Sequence, residues 1–431
     1  MLKRPRAAFL FLFPFIATGL LSGQTRPASA EKWVATWATA QEMAPSKPDR
    51  PVISPDVKRP DFRNMHGPRP SQVVPTISPD QTVRMIVHTS IGGNKVRIEL
   101  ANAFGKEPVV IGGAHIAIRT TGSSIDAKSD RELTFAGNKS VEMRPGVVVV
   151  SDPVELAVRP MSDLAVSLFI KAVEGPPTIH TIGLHTSYIS DGDATAAESS
   201  PGTATTSTYV WLRSVDVAAT PNDFAIACLG DSITDGFGTT NDSNQAWPTL
   251  LAKRLAEQKS APRVSVLNEG ISGNQVLRDG AGISALARLD RDVLTEPGVR
   301  WIVLLEGIND INIHGQVTGA DALIADDLIR GYKEIITRAH LQGIKVMGAT
   351  LTPEEGVWLA GPVGEATRTS VNQWIRTSGS FDAVVDLDAS VRDKDHPTSI
   401  RPDFNPGDSI HPNDIGNAAM ANAFDLAAFT K

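Results

Sequence analysis

Hydrophobic and polar residues alternate with a period of two over much of the segment from Thr82 to Lys171. A period of two is that of a strand with one buried face. The β-forming runs, separated by Gly, Asn, Asp and Pro, lie at residues 83–88, 95–100, 109–111, 115–118, 132–135, 147–150 and 164–170. Many short strands joined by turns predict an all-β sandwich, jelly-roll-like in arrangement. We expect residues 33–43 to be ordered, 186–207 to be a loop and 209–217 to be the last strand.

The pattern changes near Asn222. Continuous apolar runs, typical of strands buried on both faces of a parallel sheet, lie at residues 224–229, 264–267, 301–305, 344–349 and 383–386. Segments of helical character separate them, at residues 247–258, 282–294, 321–341, 365–378 and 412–429. Alternating strands and helices predict a five-stranded, doubly wound α/β/α sheet. Ligands of such sheets bind where the strands end, so each loop that follows a strand is a candidate for chemistry.

Residues 45–80 interrupt the first half. Nine prolines lie between Pro45 and Pro79, which excludes a helix and a central strand. We interpret the segment as an extended surface excursion. It is either a disordered loop or an ordered arm that lies over another surface.

Residues 1–30 have the features of a secretory signal peptide. Basic residues at 3, 4 and 6 precede an apolar run from Ala7 to Leu21, and Ala28-Ser29-Ala30 fits a cleavage site. The alternative, a membrane anchor, needs about 18–20 uninterrupted apolar residues, and this run is too short. We therefore expect a secreted or periplasmic protein without stable membrane insertion.

Length and charge narrow the class of protein. The chain has 431 residues, and single cores stop growing at about 250–300 residues, so we predict two domains, at 31–220 and 221–431. Cleavage after Ala30 would remove four basic residues and no acidic one, leaving 37 basic and 48 acidic residues and a net charge of −11. This balance disfavours nucleic acid as a partner. The single cysteine, Cys228, cannot form an internal disulfide.

Polar residues follow the first three predicted strands of the second half. Ser232 comes after the first, where a tight turn would present its hydroxyl above the sheet. Gly273 follows the second, and a glycine there lets a backbone N–H approach an anionic oxygen. Asn309 follows the third and could offer its amide to the same oxygen. Taken singly, each is also an ordinary turn or cap residue.

Asp408 and His411 lie three residues apart near the end of the chain. In this spacing the carboxylate can accept the Nδ1–H of the imidazole while Nε2 faces the serine. A capping contact or a turn histidine is the alternative for such a pair alone. Together, the signals at four separate loops favour one catalytic site.

These four segments resemble the sequence blocks of the SGNH subgroup of the GDSL-type hydrolases: Gly-Asp-Ser at 230–232, the glycine block at 270–273, Gly-x-Asn-Asp at 307–310 and Asp-x-x-His at 408–411. The resemblance covers residues 224–429. It implies a flavodoxin-like three-layer α/β/α fold and ester hydrolysis. It also implies Ser232 as nucleophile, His411 as base and Asp408 as its orienter, with oxyanion donors from the Ser232 N–H, the Gly273 N–H and the Asn309 amide.

No cofactor is expected, since a serine hydroxyl activated by a base completes ester hydrolysis with water alone. The sequence contains no Gly-x-Ser-x-Gly motif and no His-Glu-x-x-His motif, which argues against an α/β-hydrolase and against a zinc enzyme. The acidic pairs Asp191 and Asp193, and Asp386 and Asp388, lack a calcium-loop pattern. We expect no metal site.

The first half also has family features. Residues 33–40, 88–93, 101–105 and 151–154 are similar to those of two-domain secreted acylhydrolases encoded among xylan-degrading enzymes. This resemblance implies a small-molecule or oligosaccharide ester as the substrate, with acetyl groups on carbohydrate favoured. Two alternatives remain: a lipolytic enzyme, such as a lysophospholipase or broad arylesterase, and a non-catalytic carbohydrate-binding protein. A lipolytic enzyme would need an apolar groove, for which Trp358, Leu359 and Val363 are candidates.

Overall fold

The structure, a computed structural model, describes residues 31–43, 74–202, 204–258, 262–314, 323–357 and 361–430. The expected signal peptide, most of the proline-rich segment, and Trp358 and Leu359 lie outside the described residues. Within the described parts of the chain, no helix is both long and apolar enough to span a membrane. The described residues from Lys32 onward belong to a single compact unit.

Sixteen strands make up the described part of the first half. They are β1 Lys32–Ala38, β2 Glu42–Met43, β3 Gln81–His88, β4 Gly93–Ala101, β5 Val109–Thr121, β6 Ser124–Ile125, β7 Arg131–Leu133, β8 Val141–Met143, β9 Val148–Val150, β10 Val154–Val158, β11 Asp163–Val173, β12 Thr178–His180, β13 Ser187–Asp191, β14 Ala204–Thr206, β15 Tyr209–Val210 and β16 Leu212–Ala219. All of the pairings between these strands are antiparallel.

These strands form three sheets. One has the order β1-β16-β4-β10, with β9 also on β4. A second has the order β14-β13-β3-β11-β5-β6, with β7 and β8 also on β5, and a small third sheet is β15-β12-β2. The prediction of a loop at 186–207 was wrong for β13 and β14, because Tyr188 and Ile189 pair with β3 despite the polar composition around them.

Strand β3 departs from simple alternation. Its residues from Thr82 to Val87 are all buried, including Arg84. The guanidinium of Arg84 donates to the Ser167 hydroxyl at 2.9 Å and to the carbonyl oxygens of Ser123 and Ala197 at 2.7 Å each. A buried cation is tolerated here because its donors have acceptors.

The second half contains the five predicted strands, β17 Phe224–Gly230, β18 Val264–Gly270, β19 Val299–Leu305, β20 Lys345–Ala349 and β21 Ala383–Val385. They form one sheet of order β18-β17-β19-β20-β21, and every pairing is parallel. This is the strand order of flavodoxin-like sheets. All seven residues of β17 are buried, which explains its continuous apolar sequence.

The described helices are α1 Ser232–Asp235, α2 Trp247–Glu257, α3 Ala285–Leu289, α4 Ile308–His314, α5 Ala325–Leu341, α6 Gly361–Thr377, α7 Leu387–Val391 and α8 Asp414–Asn422. Two predicted helices are divided. The one at 282–294 is α3 followed by a π-helical turn at Asp290–Leu294. The one at 412–429 starts late, because the Asn413 side chain caps α8, and it stops early, because Asp425 starts a separate turn by accepting the Ala427 N–H.

The two halves are in direct contact, and β1 packs against β18. The Ala35 N–H donates to the Pro297 carbonyl at 2.9 Å, and the Ser90 hydroxyl donates to the Val266 carbonyl at 2.8 Å. Ala225 and Leu267 of the parallel sheet belong to the same hydrophobic core as the strands of the first half. The proposed domain boundary at residue 220 stays a prediction. Buried side chains from both sides of this position pack against each other.

Candidate active site

Three neighbouring strands of the parallel sheet end at the same level. Gly230, the last residue of β17, is in register with Gly270 of β18 and with Leu305 of β19. Because β17 lies between the other two, the loops that carry Ser232, Gly273 and Asn309 leave the sheet side by side.

Ser232 is the first residue of the four-residue helix α1. The Asp231 carboxylate caps this helix by accepting the Ile233 N–H at 2.9 Å, and Gly236 ends it with a φ of +107°. Burial raises the pKa of Asp231 to about 7, although the Ile233 N–H and the nearby His411 act in the opposite direction. This cap fixes the orientation of α1, and with it the position of Ser232, relative to the end of β17.

Gly270 makes room for this helix. A Cβ atom at position 270 would lie 2.3 Å from the Asp235 nitrogen and 2.7 Å from its Cα, distances that only a shift of backbone could relieve. The glycine that ends β18 is therefore required by the close approach of α1 to the sheet.

The imidazole of His411 joins the serine to the aspartate. Its Nε2 lies 2.8 Å from the Ser232 Oγ, and its Nδ1 lies 2.6 Å from the Asp408 Oδ2. Ser232 is 6% exposed and Asp408 is 8% exposed. The structure thus brings three residues from two distant segments into one hydrogen-bonded chain, the arrangement that activates a serine hydroxyl.

Asp408 is held as a carboxylate by its neighbours. Burial raises its pKa, but the hydrogen bonds and charge of His411 and the Ile410 N–H outweigh that effect and lower the pKa to about 2. The second oxygen, Oδ1, accepts the N–H groups of Ile410 at 3.1 Å and His411 at 3.0 Å.

Two residues beside Asp408 and His411 were missed by sequence reasoning, Asn405 on the same loop and Phe237 after α1. Asn405 donates its amide to the Asp408 Oδ1 at 3.1 Å and to the His411 carbonyl at 2.9 Å, and its own oxygen accepts the N–H groups of Gly407 and Ser409. The Phe237 ring lies 4.4 Å from that of His411. The Asn-x-x-Asp-x-x-His spacing was the available signal for Asn405.

The candidate oxyanion residues lie on adjacent loops. Gly273 has a φ of +83°, a left-handed conformation that favours glycine. The Asn309 amide donates to the Asn274 carbonyl at 3.0 Å, so the loop after β19 is tied to the loop that carries Gly273.

A buried arginine, also missed by sequence reasoning, lies beneath these loops. Arg288 is 0% exposed and donates to the carbonyl oxygens of Gly230 at 2.9 Å and Glu269 at 2.7 Å. Its Nε donates to the Asn274 side-chain oxygen at 2.9 Å. One side chain therefore joins the ends of β17 and β18 to the loop that follows β18.

The acidic pairs considered as metal ligands have other partners. Arg376 contacts Asp386 at 2.8 Å and Asp388 at 2.6 Å, and the Asp193 carboxylate accepts the Thr195 hydroxyl at 2.6 Å. Among the residues that the structure describes, no group of three or more potential ligands could hold a metal ion. Cys228 is fully buried, which raises the pKa of its thiol.

A serine paired with an imidazole and a carboxylate, at the carboxyl edge of a parallel sheet, is an arrangement that serine hydrolases use. The sequence profile of the GDSL-like lipase/acylhydrolase family matches residues 228–419. This part of the chain is a GDSL-like lipase/acylhydrolase domain, and the protein is a carboxylic ester hydrolase.

Solved structures of similar fold each cover about half of this chain. The acetyl xylan esterase AlAXEase is 23% identical, covering 46% of this chain and 97% of its own, with a TM-score of 0.36. A variant of Axe2, an acetyl xylan esterase from Geobacillus stearothermophilus, is 19% identical, with coverages of 49% and 95% and a TM-score of 0.37. The lipase/acylhydrolase from Enterococcus faecalis is 20% identical, with coverages of 46% and 92% and a TM-score of 0.37. No curated protein matches the chain.

Proposed function

We propose that this protein hydrolyses carboxylic esters through a Ser232–His411–Asp408 triad and an acyl-enzyme. The observation that carries the proposal is the continuous hydrogen-bonded chain from the Ser232 Oγ through His411 to Asp408. In this geometry Nε2 can accept the serine proton while the Nδ1–H donates to the carboxylate, which sets the tautomer and stabilises the imidazolium.

In acylation, the Ser232 Oγ bonds to the ester carbonyl carbon while His411 takes the hydroxyl proton. The tetrahedral intermediate then expels the alcohol oxygen, which receives that proton from His411. In deacylation, water attacks the acyl-enzyme, gives a proton to His411 and releases the carboxylic acid as Ser232 regains a proton. No cofactor takes part in either half.

The negative oxygen of each intermediate needs donors that are in place beforehand. We assign this role to the N–H groups of Ser232 and Gly273 and to the Asn309 amide. The side-by-side exit of the three strands and the tie between Asn309 and the Asn274 carbonyl support the assignment. Each such donor contributes about 2.7–4 kcal/mol to transition-state stabilisation.

For the substrate we propose short acyl groups, above all acetyl, on carbohydrate. Ser232 is 6% exposed and Phe237 packs against His411, which favours a small acyl group over a long chain. The carbohydrate part rests on the sequence resemblance of the first half to secreted acylhydrolases. Val363, one of the candidates for an apolar groove, is 61% exposed.

The arrangement of the domains and the destination of the protein complete the proposal. We place the helices on both faces of the parallel sheet, in three layers, and treat the first half as a jelly-roll-like sandwich. Export follows from the sequence of residues 1–30. A mature protein whose first residue is Glu31 supports export, and retention of Met1 in the exported form contradicts the cleavage site.

The test compares wild type and Ser232→Ala on p-nitrophenyl acetate, p-nitrophenyl palmitate and acetylated xylan. Wild type should favour the acetyl substrates, and the variant should lose more than about 10⁴-fold in kcat with its thermal transition retained. Unchanged turnover in Ser232→Ala overturns the nucleophile. Faster turnover of palmitate supports a lipolytic enzyme instead, and binding of xylan without any hydrolysis supports a non-catalytic protein.

A further inference from the structure

A histidine of the first half reaches the helix that carries the nucleophile. His180, the last residue of β12, is 4% exposed, and its Nε2 lies 3.2 Å from the Oδ1 of Asp235. Asp235 is the last residue of α1, which begins at Ser232. Both side chains line a cavity of about 70 Å³ between the two halves of the chain.

Both nitrogens of His180 face acceptors. Nδ1 lies 2.9 Å from the Ala40 carbonyl and 3.5 Å from Glu42, while Nε2 faces the Ile182 carbonyl at 3.1 Å as well as Asp235. A neutral imidazole has only one N–H, so this environment suits the imidazolium. Burial lowers the pKa of His180, but the charges of Asp235 and Glu42 outweigh it and raise the pKa to about 9.

The other oxygen of Asp235 holds the next loop. Its Oδ2 accepts the Ser272 N–H at 3.1 Å and the Ser272 hydroxyl at 2.7 Å. Ser272 directly precedes Gly273, the proposed oxyanion donor. The backbone carbonyl of Asp235 also accepts the Asn268 amide at 3.2 Å.

The carboxylate of Asp235 therefore joins the two loops that must be aligned for catalysis. Asp235 is 2% exposed, and a buried carboxylate without a cation costs free energy that distorts or opens its surroundings. Among the described contacts to the Asp235 carboxylate, His180 supplies the positive charge, and it does so from the first half.

We propose that His180 is a positioning residue, through which the first half of the chain orients the Ser232 helix and the Gly273 loop by way of Asp235. The inference rests on the proposed function, because it assigns a role in the geometry of that same site. It gives the first half a part in catalysis without any contact with substrate.

The main test compares His180→Gln, His180→Leu and the control His115→Gln. His115 is a matched control because its Nδ1 also pairs with a carboxylate, Asp130 at 2.9 Å, within the first half. His180→Leu should lose between tenfold and a hundredfold in kcat on p-nitrophenyl acetate, since small misplacements of reacting groups cost this much. KM should stay within about twofold, because a residue that only positions other residues makes no contact with the substrate.

The glutamine variant separates the hydrogen bond from bulk packing. Its amide can still donate to Asp235, so it should recover part of the kcat lost in His180→Leu. His115→Gln should retain the wild-type kcat. If His180→Leu fails to fold, Ser272→Ala tests the same connection from its other end and should lower kcat without a change in the first half.

A double-mutant cycle tests the route through Asp235. If His180 acts through this carboxylate, His180→Leu combined with Asp235→Asn should cost little more in kcat than Asp235→Asn alone. Additive losses in kcat, or a kcat in all His180 variants equal to that of His115→Gln, overturn the inference. Wild-type turnover that does not depend on Ser232 overturns the proposed function, and this inference with it.

Discussion

The Oδ2 of Asp408 lies 2.6 Å from the Nδ1 of His411, while the Oδ1 of the same carboxylate accepts the backbone N–H of His411 at 3.0 Å. One residue thus holds both the ring and the main chain of its partner. Rotation of the imidazole away from Ser232 would break the first bond while the second keeps the loop in place.

The first prediction concerns Asp408→Asn. The asparagine amide can donate to Nδ1 and so favour the wrong tautomer of His411, and it has no charge to stabilise the imidazolium. We therefore expect kcat to fall by up to about 10⁴-fold with the fold retained. Turnover of p-nitrophenyl acetate measures the loss. A kcat equal to that of wild type would show that another acid supports His411.

The same residue predicts a pH dependence of stability. The ordinary pKa of an aspartate is about 3.9, and that of Asp408 is lowered to about 2 by His411 and the backbone N–H groups against the effect of burial. The ionised Asp408 therefore contributes about 2 kcal/mol to the free energy of unfolding. This contribution is complete above pH 4 and is lost as the pH falls through about 2. Urea unfolding at pH 6, 4 and 2.5 should show the wild-type advantage over Asp408→Asn shrinking toward the lowest pH. A difference that is constant with pH would contradict this linkage.

The second prediction concerns Asn405→Ala. Its side chain makes hydrogen bonds to Asp408 and to three backbone groups, so the variant should lose about 1–3 kcal/mol of stability and also lower kcat. Asn102→Ala is the control, because the Asn102 amide also donates two hydrogen bonds, to the Glu107 and Met143 carbonyls in the first half. It should lose stability but keep kcat. Equal kcat values in the two variants would remove Asn405 from the site.

The third prediction is steric. Gly270→Ala places a Cβ 2.3 Å from the Asp235 nitrogen, so helix α1, which begins at Ser232, must shift, at a cost of about 1–3 kcal/mol and a reduced kcat. Gly113→Ala in β5 is the control, since the nearest atom to a Cβ there is 3.8 Å away. Denaturation and kcat should both distinguish the two alanine variants, and indistinguishable behaviour would mean that α1 can move freely.

The fourth prediction concerns the contact between the halves. Arg213 of β16 pairs with Glu99 in the first half and with Glu296 in the second, the latter at 2.5 Å. Arg213→Met would leave two buried carboxylates without their cation, which costs about 3–5 kcal/mol. Arg144→Met, at an exposed pair with Glu142, should change stability by less than about 0.5 kcal/mol.

The loss of stability in Arg213→Met should depend on pH, and the sign of this dependence follows from Glu296. Burial raises the pKa of this carboxyl and Arg213 lowers it, so loss of Arg213 makes the charged form still less favourable. The deficit of Arg213→Met should therefore be largest at pH 8 and shrink toward pH 5, as Glu296 takes up a proton. A deficit that grows as the pH falls would contradict the assignment.

Sequence patterns were informative where a residue acts through its own segment. The uninterrupted apolar run at 224–229 predicts β17 because both faces of this strand are buried. A serine that follows such a strand lies at the carboxyl edge of the sheet, where ligands bind. The Asp408–His411 pair could be proposed for the same reason, since its partners lie three residues apart.

Residues that act across long separations could not be found this way. His180 and Asp235 are 55 positions apart, and Arg288 reaches the Gly230 carbonyl across 58 positions. These contacts depend on how separate parts of the chain pack together. The local pattern of hydrophobic and polar residues carries no information about that packing. Arg84 shows the same limit, because its acceptors at Ser123 and Ala197 come from distant loops.

The pairing of β1 with β16 has a consequence for folding. Trp33 is in register with Ala218, 185 positions further along the chain, and β1 also packs against β18 of the parallel sheet. During folding, β1 therefore stays unpaired until β16, far along the chain, has taken its place in the sheet. Contacts of such long range are slow to form, so a folding catalyst or chaperone that shields residues 32–38 should raise the yield of active enzyme more than one that acts on the second half.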